Sequence, residues 1–413
     1  MIAFRFPPHG GIGIRRTAYC SRYLEEHGWS THILTGPLGN THSLMDESQL
    51  QLIPEHVPVK RTGYFDTRRV FQTLGKFHLA TLARTLTVSL PSMSAGWIPY
   101  ACRAGRQLLR AGGFDLIYSS SYPMACHMVA YWLNKRTGVP WVADYRDEWS
   151  TRGTLLWPSA WHRRLAFRLD RLTTASADRV VTTSPAAADR LARRFPNPEP
   201  GHYVTVTNGF DEADFDKSDG LPVEVARSDR FHLCYVGTVG RWKRLSGVLA
   251  AVQALVDGGR IPKDQIAVSI VGRDGSDAHD FPRLREAGIL RTVGFVSHSE
   301  AVAWMAGSDA LLLLNNESVN IPGKTFEYLA TGNPILAMLP GGPTADIIRE
   351  ARAGVLVEPG DADGIAREIH RMYEAWKRGH LQSDLDRSVL QRYTWRETVR
   401  RLAEIFDDTV TRA

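Results

Sequence analysis

ALLLLNNESVNIPGKTFEYLATGNPILAM, residues 310–338, passes from an apolar segment through a polar loop and a helical stretch to a second apolar segment. Pro322 suits the first turn of a helix, where its missing N–H costs nothing. Gly323 beside it clears space for a ligand, and Lys324 stands where a phosphate contact could form. Glu327 falls one turn further on, on the same helical face as Gly323 and Lys324. A Lys and a Glu so spaced could be no more than a surface ion pair, worth about 0.3 kcal/mol. Gly332 and Pro334 weigh against that reading, because they end the helix sharply and restart a buried strand; the stretch reads as one βαβ step.

The same step repeats outward in both directions. FHLCYVG, IAVSIVG, LRTVGFV, ALLLLN, PILAM and AGVLVEP are short apolar segments at regular intervals, each followed by glycine or helix-like sequence, which predicts a doubly wound parallel sheet. Upstream, strands are expected near residues 2–6, 30–34, 115–118, 141–144, 179–183 and 203–207, with helices between them. DKSDGLPVEVARSD, residues 216–229, is polar and aperiodic and carries Gly220 and Pro222, as a linker would. At 413 residues the chain exceeds what one core usually serves. The expected organisation is α/β: two Rossmann-like domains, residues 1–211 and 228–390, then residues 391–413 as a helix packing back on the first. Thr394 is the expected N-cap of that helix, with Trp395, Val399, Leu402, Ile405 and Phe406 on one face. Residues 60–112 are longer than a βα connection needs, which predicts either a helical excursion near the interdomain cleft or an extra pair of packing helices.

Hydrophobic residues make up 43% and charged residues 23%, the balance of a globular chain. Lys and Arg total 50 against 44 Asp and Glu, and the net charge of +6 suits a phosphate-bearing ligand, an anionic lipid surface or nucleic acid. The arginines are spread through both halves and no nucleic-acid module is present, so no nucleic-acid partner is expected. Cys20, Cys102, Cys126 and Cys234 form no CxxC pair; neither a zinc site nor a disulfide framework is indicated, and a reducing cytoplasm fits. MIAFRFPPHGG meets Pro7, Pro8, Gly10 and Gly11 too early for a signal peptide. No uninterrupted apolar window reaches the length of about 18 residues that spans a bilayer.

Two more glycine turns resemble the one at Gly323. IAFRFPPHGGIGIRRTAYC, residues 2–20, is a strand, a Pro7–Pro8 turn, a cluster of Gly10, Gly11 and Gly13, and a helix start whose N–H groups favour an anion. The pattern falls short of the dinucleotide fingerprint, and THILTG, residues 31–36, lacks the acid that an NAD ribose would need. YVGTVGRWKRL, residues 235–245, sets Gly237 and Gly240 just after a strand and follows them with Arg241, Lys243 and Arg244. Basic residues at a helix N-terminus oppose its dipole unless an anion compensates, so this loop predicts a diphosphate whose leaving-group charge they neutralise. In ADYRDEWS, residues 143–150, Asp144, Arg146 and Asp147 end a first-domain strand and are expected to face the cleft. Asp147 would orient or deprotonate an acceptor there; equally, Arg146 would simply pair with a carboxylate. The acids offer no convincing metal cage, and no metal is expected.

FPPHGGIG, GWIPYA, ADYRDEWS, DRVVTTSPA, VTNGFD, YVGTVGRWK and PGKTFEYLATGNPILA together give the whole chain a resemblance to a known family. It resembles the GT-B retaining glycosyltransferases, in particular the large family 4-like bacterial group with an EYLA-type donor-binding motif. The resemblance implies a nucleoside-diphosphate sugar, UDP-sugar expected, held mostly by the second domain, and an acceptor held mostly by the first. Glu327 matches the family glutamate that accepts from the ribose hydroxyls, which suits a carboxylate because it takes two hydrogen bonds. Arg241 and Lys243 match the basic pair at the diphosphate, with Arg244 able to replace Lys243, and Gly11 matches the glycine approaching the diphosphate from the opposite domain. Gly13, Gly237, Gly323 and Lys324 complete the implied donor set; Arg241, Lys243 and Asp147 are the implied catalytic residues. Many relatives carry a second glutamate eight positions before the one matching Glu327, and here that position is Val319. Asn316, Glu317 or Asn320 could serve instead. The implied mechanism is front-face displacement, in which the departing phosphate oxygen takes the acceptor proton, with no metal and no cofactor beyond the donor.

Two other readings share the fold: an epimerase acting on a nucleotide sugar, and a noncatalytic sugar-nucleotide-binding subunit. An epimerase would need a histidine at the sugar, and His9, His127 and His298 each read more simply as surface or capping residues. A phosphorylase using pyridoxal phosphate on Lys324 would be about twice as long. WPSAWHRRLAFRLDRL, residues 157–172, sets Trp157, Trp161, Leu165, Leu169 and Leu172 against His162, Arg163, Arg164, Arg168 and Arg171. Such a helix either lies on anionic lipid or packs its apolar face on the neighbouring sheet. The expected partners are therefore the donor and a glycan, lipid-linked or small-molecule acceptor. The expected state is a cytoplasmic monomer or homodimer, with peripheral contact at the inner membrane face left open.

Overall fold

Unbroken apolar runs and right-handed crossovers build two parallel sheets. The computed structural model describes residues 1–10, 12–38, 45–65, 94–150, 159–216, 229–239, 245–273 and 277–412. They divide into one unit of Met1–Thr207 with Thr398–Ala413 and another of Asn208–Glu397.

The first unit contains β1 (Ile2–Ala3), β2 (Ile33–Thr35), β3 (Val59–Arg61), β4 (Ile117–Ser121), β5 (Trp141–Tyr145), β6 (Arg179–Thr182) and β7 (Tyr203–Thr205). They pair in the order β3-β2-β1-β4-β5-β6-β7. β3 was not expected: it is an edge strand with Val59 and Lys60 exposed, so its sequence carries no apolar signal. Its helices are α1 (Ile12–Tyr23), α2 (Ile98–Ala111), α3 (Ala125–Thr137), α4 (Ala160–Ser176) and α5 (Pro185–Arg194). Right-handed connections put α2 to α5 on one face of the sheet. There Ile117, Trp141, Ala143 and Val180 of the strands meet Ala101, Val129, Ala166 and Leu191 of the helices. α2 accounts for part of the long 60–112 connection; residues 66–93 lie outside the described residues.

The second unit contains β8 (Phe231–Val236), β9 (Ile266–Val271), β10 (Leu290–Gly294), β11 (Ala310–Leu314), β12 (Ile335–Met338) and β13 (Gly354–Val357), so all six expected segments are strands. Their order is β10-β9-β8-β11-β12-β13. Helices α6 (Ser246–Asp257), α7 (His298–Ala306), α8 (Lys324–Thr331), α9 (Pro343–Glu350) and α10 (Ala362–Lys377) cover it. β11 shows why ALLLL is apolar without alternation. Leu312 and Leu314 pack with Val248 of α6 and Ile369 of α10. Leu311 and Leu313 pack with Met305 of α7 and Phe326 of α8, so both faces are dry.

α8 starts at Lys324 with Gly323 as its N-cap, which puts Pro322 before the helix instead of in its first turn. It stops at Gly332, whose left-handed φ of 74° admits glycine readily. The last helix, α11 (Trp395–Arg412), is capped by the Thr394 hydroxyl, which accepts from the Glu397 N–H at 3.2 Å. Its Trp395, Val399, Leu402 and Phe406 are buried. Phe406 lies in the first unit, with its ring 5.3 Å from Trp29 and 5.4 Å from Tyr118. The four cysteines are free, and burial pushes the Cys20, Cys126 and Cys234 thiols up to about 12.

Candidate functional site

In an open parallel sheet the crossovers leave in opposite directions at one point, and the gap beyond the carboxyl ends of those strands is where a ligand fits. In the second unit that point lies between β8 and β11. β8 runs into Gly237 and β11 into the loop that leads to α8, so two of the glycine turns singled out in the sequence converge there.

Gly237 has φ 139°, closed to an L side chain, and its N–H donates to the Val271 carbonyl at 2.8 Å. Gly272 has φ 128°, and a Cβ on it would stand 2.3 Å from the Gly237 oxygen. The ends of β8 and β9 are thus pressed backbone to backbone. Lys324 comes from the first turn of α8 and is buried at 8% exposure. Its ammonium donates to the Val236 carbonyl at 3.1 Å and lies 3.6 Å above the centre of the Tyr235 ring. A Cβ on Gly237 would lie 3.4 Å from that ammonium, in van der Waals contact with it. Tyr328, one turn on from Lys324, accepts the Val236 N–H on its hydroxyl oxygen at 2.9 Å. Helix and strand end are locked together around the cation.

Glu327 is 7% exposed, which rules out the surface ion-pair reading. The first turn of α8 is roofed by its neighbours, and the Glu327 carboxylate lies 3.9 Å from Nδ1 of His298 at the start of α7. His298 Nε2 is 3.3 Å from Asp214 Oδ2. His298 therefore bridges two carboxylates and is no plain surface residue; no local pattern marks this, because the three come from separate segments. The loop after β11 holds its own shape. Asn315 donates to the Glu317 and Asn320 carbonyls at 2.8 and 3.0 Å, and Asn320 donates to the Glu317 carboxylate at 2.9 Å. Val319 is half-buried within that loop and Asn316 is exposed.

The first unit departs from expectation at Asp144. It is fully buried, because strand alternation turns it under α1. Arg16 of α1 grips it through two hydrogen bonds of 2.9 and 3.0 Å, and Tyr118 and Ser120 donate to it at 2.7 and 2.8 Å. Asp144 thus closes a core ion pair and presents nothing to a ligand. Arg146 does not pair with it; it donates to the Ser121 and Tyr122 carbonyls, the second at 3.1 Å. Its guanidinium lies against Gly13, where a Cβ would meet it at 2.6 Å. Asp147 is half-buried just beyond β5. His127 belongs to the core: Nδ1 lies 2.8 Å from the Ser119 hydroxyl, the ring stacks on Tyr145, and burial pushes its pKa down to about 3. His9 is buried too, at 1% exposure. Gly11, Gly240, Arg241, Lys243 and Arg244 lie outside the described residues.

Residues 10–209 match the glycosyl transferase 4-like domain, and residues 230–375 match glycosyl transferases group 1. The D-inositol 3-phosphate glycosyltransferase of Streptomyces bingchenggensis is 26% identical over 211 residues, 48% of this chain and 45% of that protein. The match thus spans about half the length of this curated relative. Among solved structures, Anabaena HepE in complex with UDP and glucose aligns over 98% of both chains at 16% identity and a TM-score of 0.66. Sucrose-phosphate synthase from Thermosynechococcus elongatus aligns over 100% of this chain and 98% of that one, at 18% identity and a TM-score of 0.67. At such identities the structures speak for the fold, which is GT-B, and the domain matches for the family. The chain belongs to the family 4-like GT-B glycosyltransferases, a glycosyl transferase 4-like domain followed by a group 1 domain.

Proposed function

We propose that this protein moves a sugar from a nucleoside-diphosphate sugar, UDP-sugar expected, to a hydroxyl of a glycan, lipid-linked or small-molecule acceptor, with retention at the anomeric carbon. The observation that carries the reading is the convergence of Gly237, Lys324 and Glu327 at the β8/β11 switch point. A bare glycine turn beside a held ammonium suits a diphosphate, and a carboxylate one helical turn away suits the ribose diol. The UDP and glucose bound to HepE support the same donor class. In the proposed reaction Arg241 and Lys243 stabilise the departing diphosphate, whose oxygen takes the acceptor proton, and Asp147 orients the acceptor.

The test is turnover with a panel of UDP-, GDP- and dTDP-sugars, including slow hydrolysis in the absence of acceptor. Release of nucleotide with one donor supports the proposal. Epimerised free sugar, or binding without any turnover, overturns it in favour of the epimerase or the noncatalytic subunit. Arg241→Ala and Lys243→Ala should each lower turnover at least about tenfold, or about 1.4 kcal/mol, with little change in acceptor affinity. Wild-type activity in both variants removes the phosphate role from that loop. EDTA should leave turnover within about twofold, since side chains and helix N-termini would carry the diphosphate charge. Complete loss with rescue by Mg²⁺ or Mn²⁺ would show a metal-dependent enzyme instead.

A further inference from the structure

The carboxyl ends of β1 and β3 carry positive charge that the first unit leaves uncompensated. Arg16, Arg179 and Arg190 of the same unit each meet an acid: Asp144 at 2.9 Å, Asp408 at 3.0 Å and Glu148 at 3.4 Å. Arg61 closes β3, is half-buried and meets no carboxylate among the described residues. Its Nη2 donates to the Pro7 carbonyl, while its Nη1 is shut from water and has no hydrogen-bond partner. The contrast shows in the sign of the pKa shift. Burial would lower the value at Arg16, but the Asp144 charge outweighs it and the value rises; at Arg61 burial acts alone and the value falls. Arg61 remains charged at neutral pH, so it is a partly desolvated cation with nothing to balance it.

Arg5, just past β1, is exposed and likewise meets no carboxylate among the described residues. β1 and β3 lie two places apart in the sheet, a spacing of about 10 Å, so long side chains at their ends can act on one spot. His9 registers both. Burial pushes its pKa down, a backbone hydrogen bond at Pro37 resists, and the charges of Arg61 and Arg5 push it down further. Asp46 comes near through its N–H, which donates to the Pro8 carbonyl at 2.8 Å, but its carboxylate accepts from Ser48 and Gln49 of its own turn. Beyond Arg61 the chain runs through Gly63 to Phe65, which is 52% exposed, and Tyr100 in the first turn of α2 is 47% exposed. A Cβ on Gly63 would stand 3.0 Å from the Tyr100 ring, so glycine lets that ring lie against the chain two residues past the arginine.

We propose that Arg5 and Arg61 form the anion-binding half of an acceptor subsite, which takes a sugar carrying a phosphate or a carboxylate and stacks its ring on Tyr100. The proposal rests on the reading that the protein transfers a sugar, and it names the class of acceptor. Guanidinium groups suit either oxyanion, because each presents several N–H donors in one plane. An aromatic face suits a sugar ring, whose C–H groups make an apolar patch between the hydroxyls. The subsite lies at the carboxyl ends of parallel strands, the side on which such sheets take ligands. A bound anion would give Arg61 the counter-charge that Arg16 already has in Asp144.

The test is calorimetric titration of the full chain, saturated with UDP so that the donor site is filled, with glucose 6-phosphate, glucuronate, glucose and inorganic phosphate. At least one of the two anionic sugars should bind about tenfold or more tighter than glucose, and which one does so assigns the anion as phosphate or carboxylate. Arg5→Gln changes an exposed side chain and should melt as the wild type does, yet weaken the anionic sugar at least about threefold. Arg61→Gln should weaken it at least about tenfold, whereas Arg61→Lys keeps the charge and should keep most of the affinity. Tyr100→Ala should weaken glucose 6-phosphate or glucuronate about threefold or more and leave inorganic phosphate unchanged. UDP affinity, measured separately, should stay within about twofold in every variant, as for an independent site. Equal affinity for glucose and both anionic sugars, or full binding by Arg5→Gln, overturns the proposal. So does a matching loss of UDP affinity in the arginine variants, which would assign the two charges to the donor. Unchanged binding of the anionic sugar by Tyr100→Ala overturns the stacking. A wild type that binds no UDP strikes the donor reading by itself, since the dependence of anion binding on the arginines is then read on the ligand-free chain.

Discussion

Asp144→Ala is expected to cost the first unit about 3–5 kcal/mol of folding stability, because it strands the buried Arg16 guanidinium without its counter-charge. Arg16 is 1% exposed, and its Nε and one terminal nitrogen both bond Asp144, while the other donates to the Thr207 carbonyl at 2.8 Å. Removing the carboxylate leaves two of these donors, the Tyr118 hydroxyl and the Ser120 hydroxyl without their acceptor. Urea denaturation of the first unit measures the loss, and an unchanged midpoint would mean that water replaces the carboxylate. Arg16→Met combined with Asp144→Leu should recover much of the deficit, since an apolar pair needs no desolvation of charge. The pH dependence has a definite sign. Burial alone would raise the Asp144 carboxyl, but the Arg16 charge and the hydrogen bonds from Arg16 and Tyr118 outweigh it and hold the group below its ordinary 3.8. The pair therefore stabilises fully above that value, and its contribution falls away as pH drops from about 3.8 through the lower folded value. The gap between wild type and Asp144→Ala should be flat near neutrality and narrow only in that acid range.

The fate of Asp144 shows where reading a sequence stops. That β5 ended in an acid was plain, and acids at strand ends invite a functional role. What decided the matter was the register of β5 on β4, which sets Ser120 beside Asp144, and an arginine 128 residues away on α1. Neither leaves a local trace. The strands of the second unit were legible for the opposite reason: β8, β9, β11 and β12 are covered on both faces, so each writes its burial into an unbroken apolar run. β3, two residues of whose side chains face water, writes nothing. At the site, Gly237, with its φ of 139°, and the Lys324–Glu327 spacing were visible, since backbone conformation and helical period are local properties. Tyr235 beneath the ammonium and His298 beside the carboxylate were not, because the contacts that recruit them join α8 to segments far off in the chain. Arg241 and Lys243 rest on the sequence pattern alone.

Glu327→Ala is expected to weaken nucleoside-diphosphate binding by at least about a hundredfold. Two hydrogen bonds from a diol to a carboxylate at about 1.5 kcal/mol or more each amount to roughly 3 kcal/mol, and that is a factor of about a hundred. Glu327→Gln should fall between, because an amide offers one acceptor oxygen where the carboxylate offers two. The measurement is thermal shift and calorimetric titration with UDP, and an unperturbed response in the alanine variant removes the ribose role. A bland account also predicts some loss, since Glu327 lies 3.9 Å from His298 and could do no more than hold α7 against α8. The two accounts separate on His298→Ala. If the carboxylate served only that contact, removing the histidine would cost as much nucleotide affinity as removing the glutamate, and both variants would melt early. If the carboxylate takes the ribose, His298→Ala should leave most of the affinity in place, while Glu327→Ala abolishes it in a protein whose ligand-free melting has barely moved.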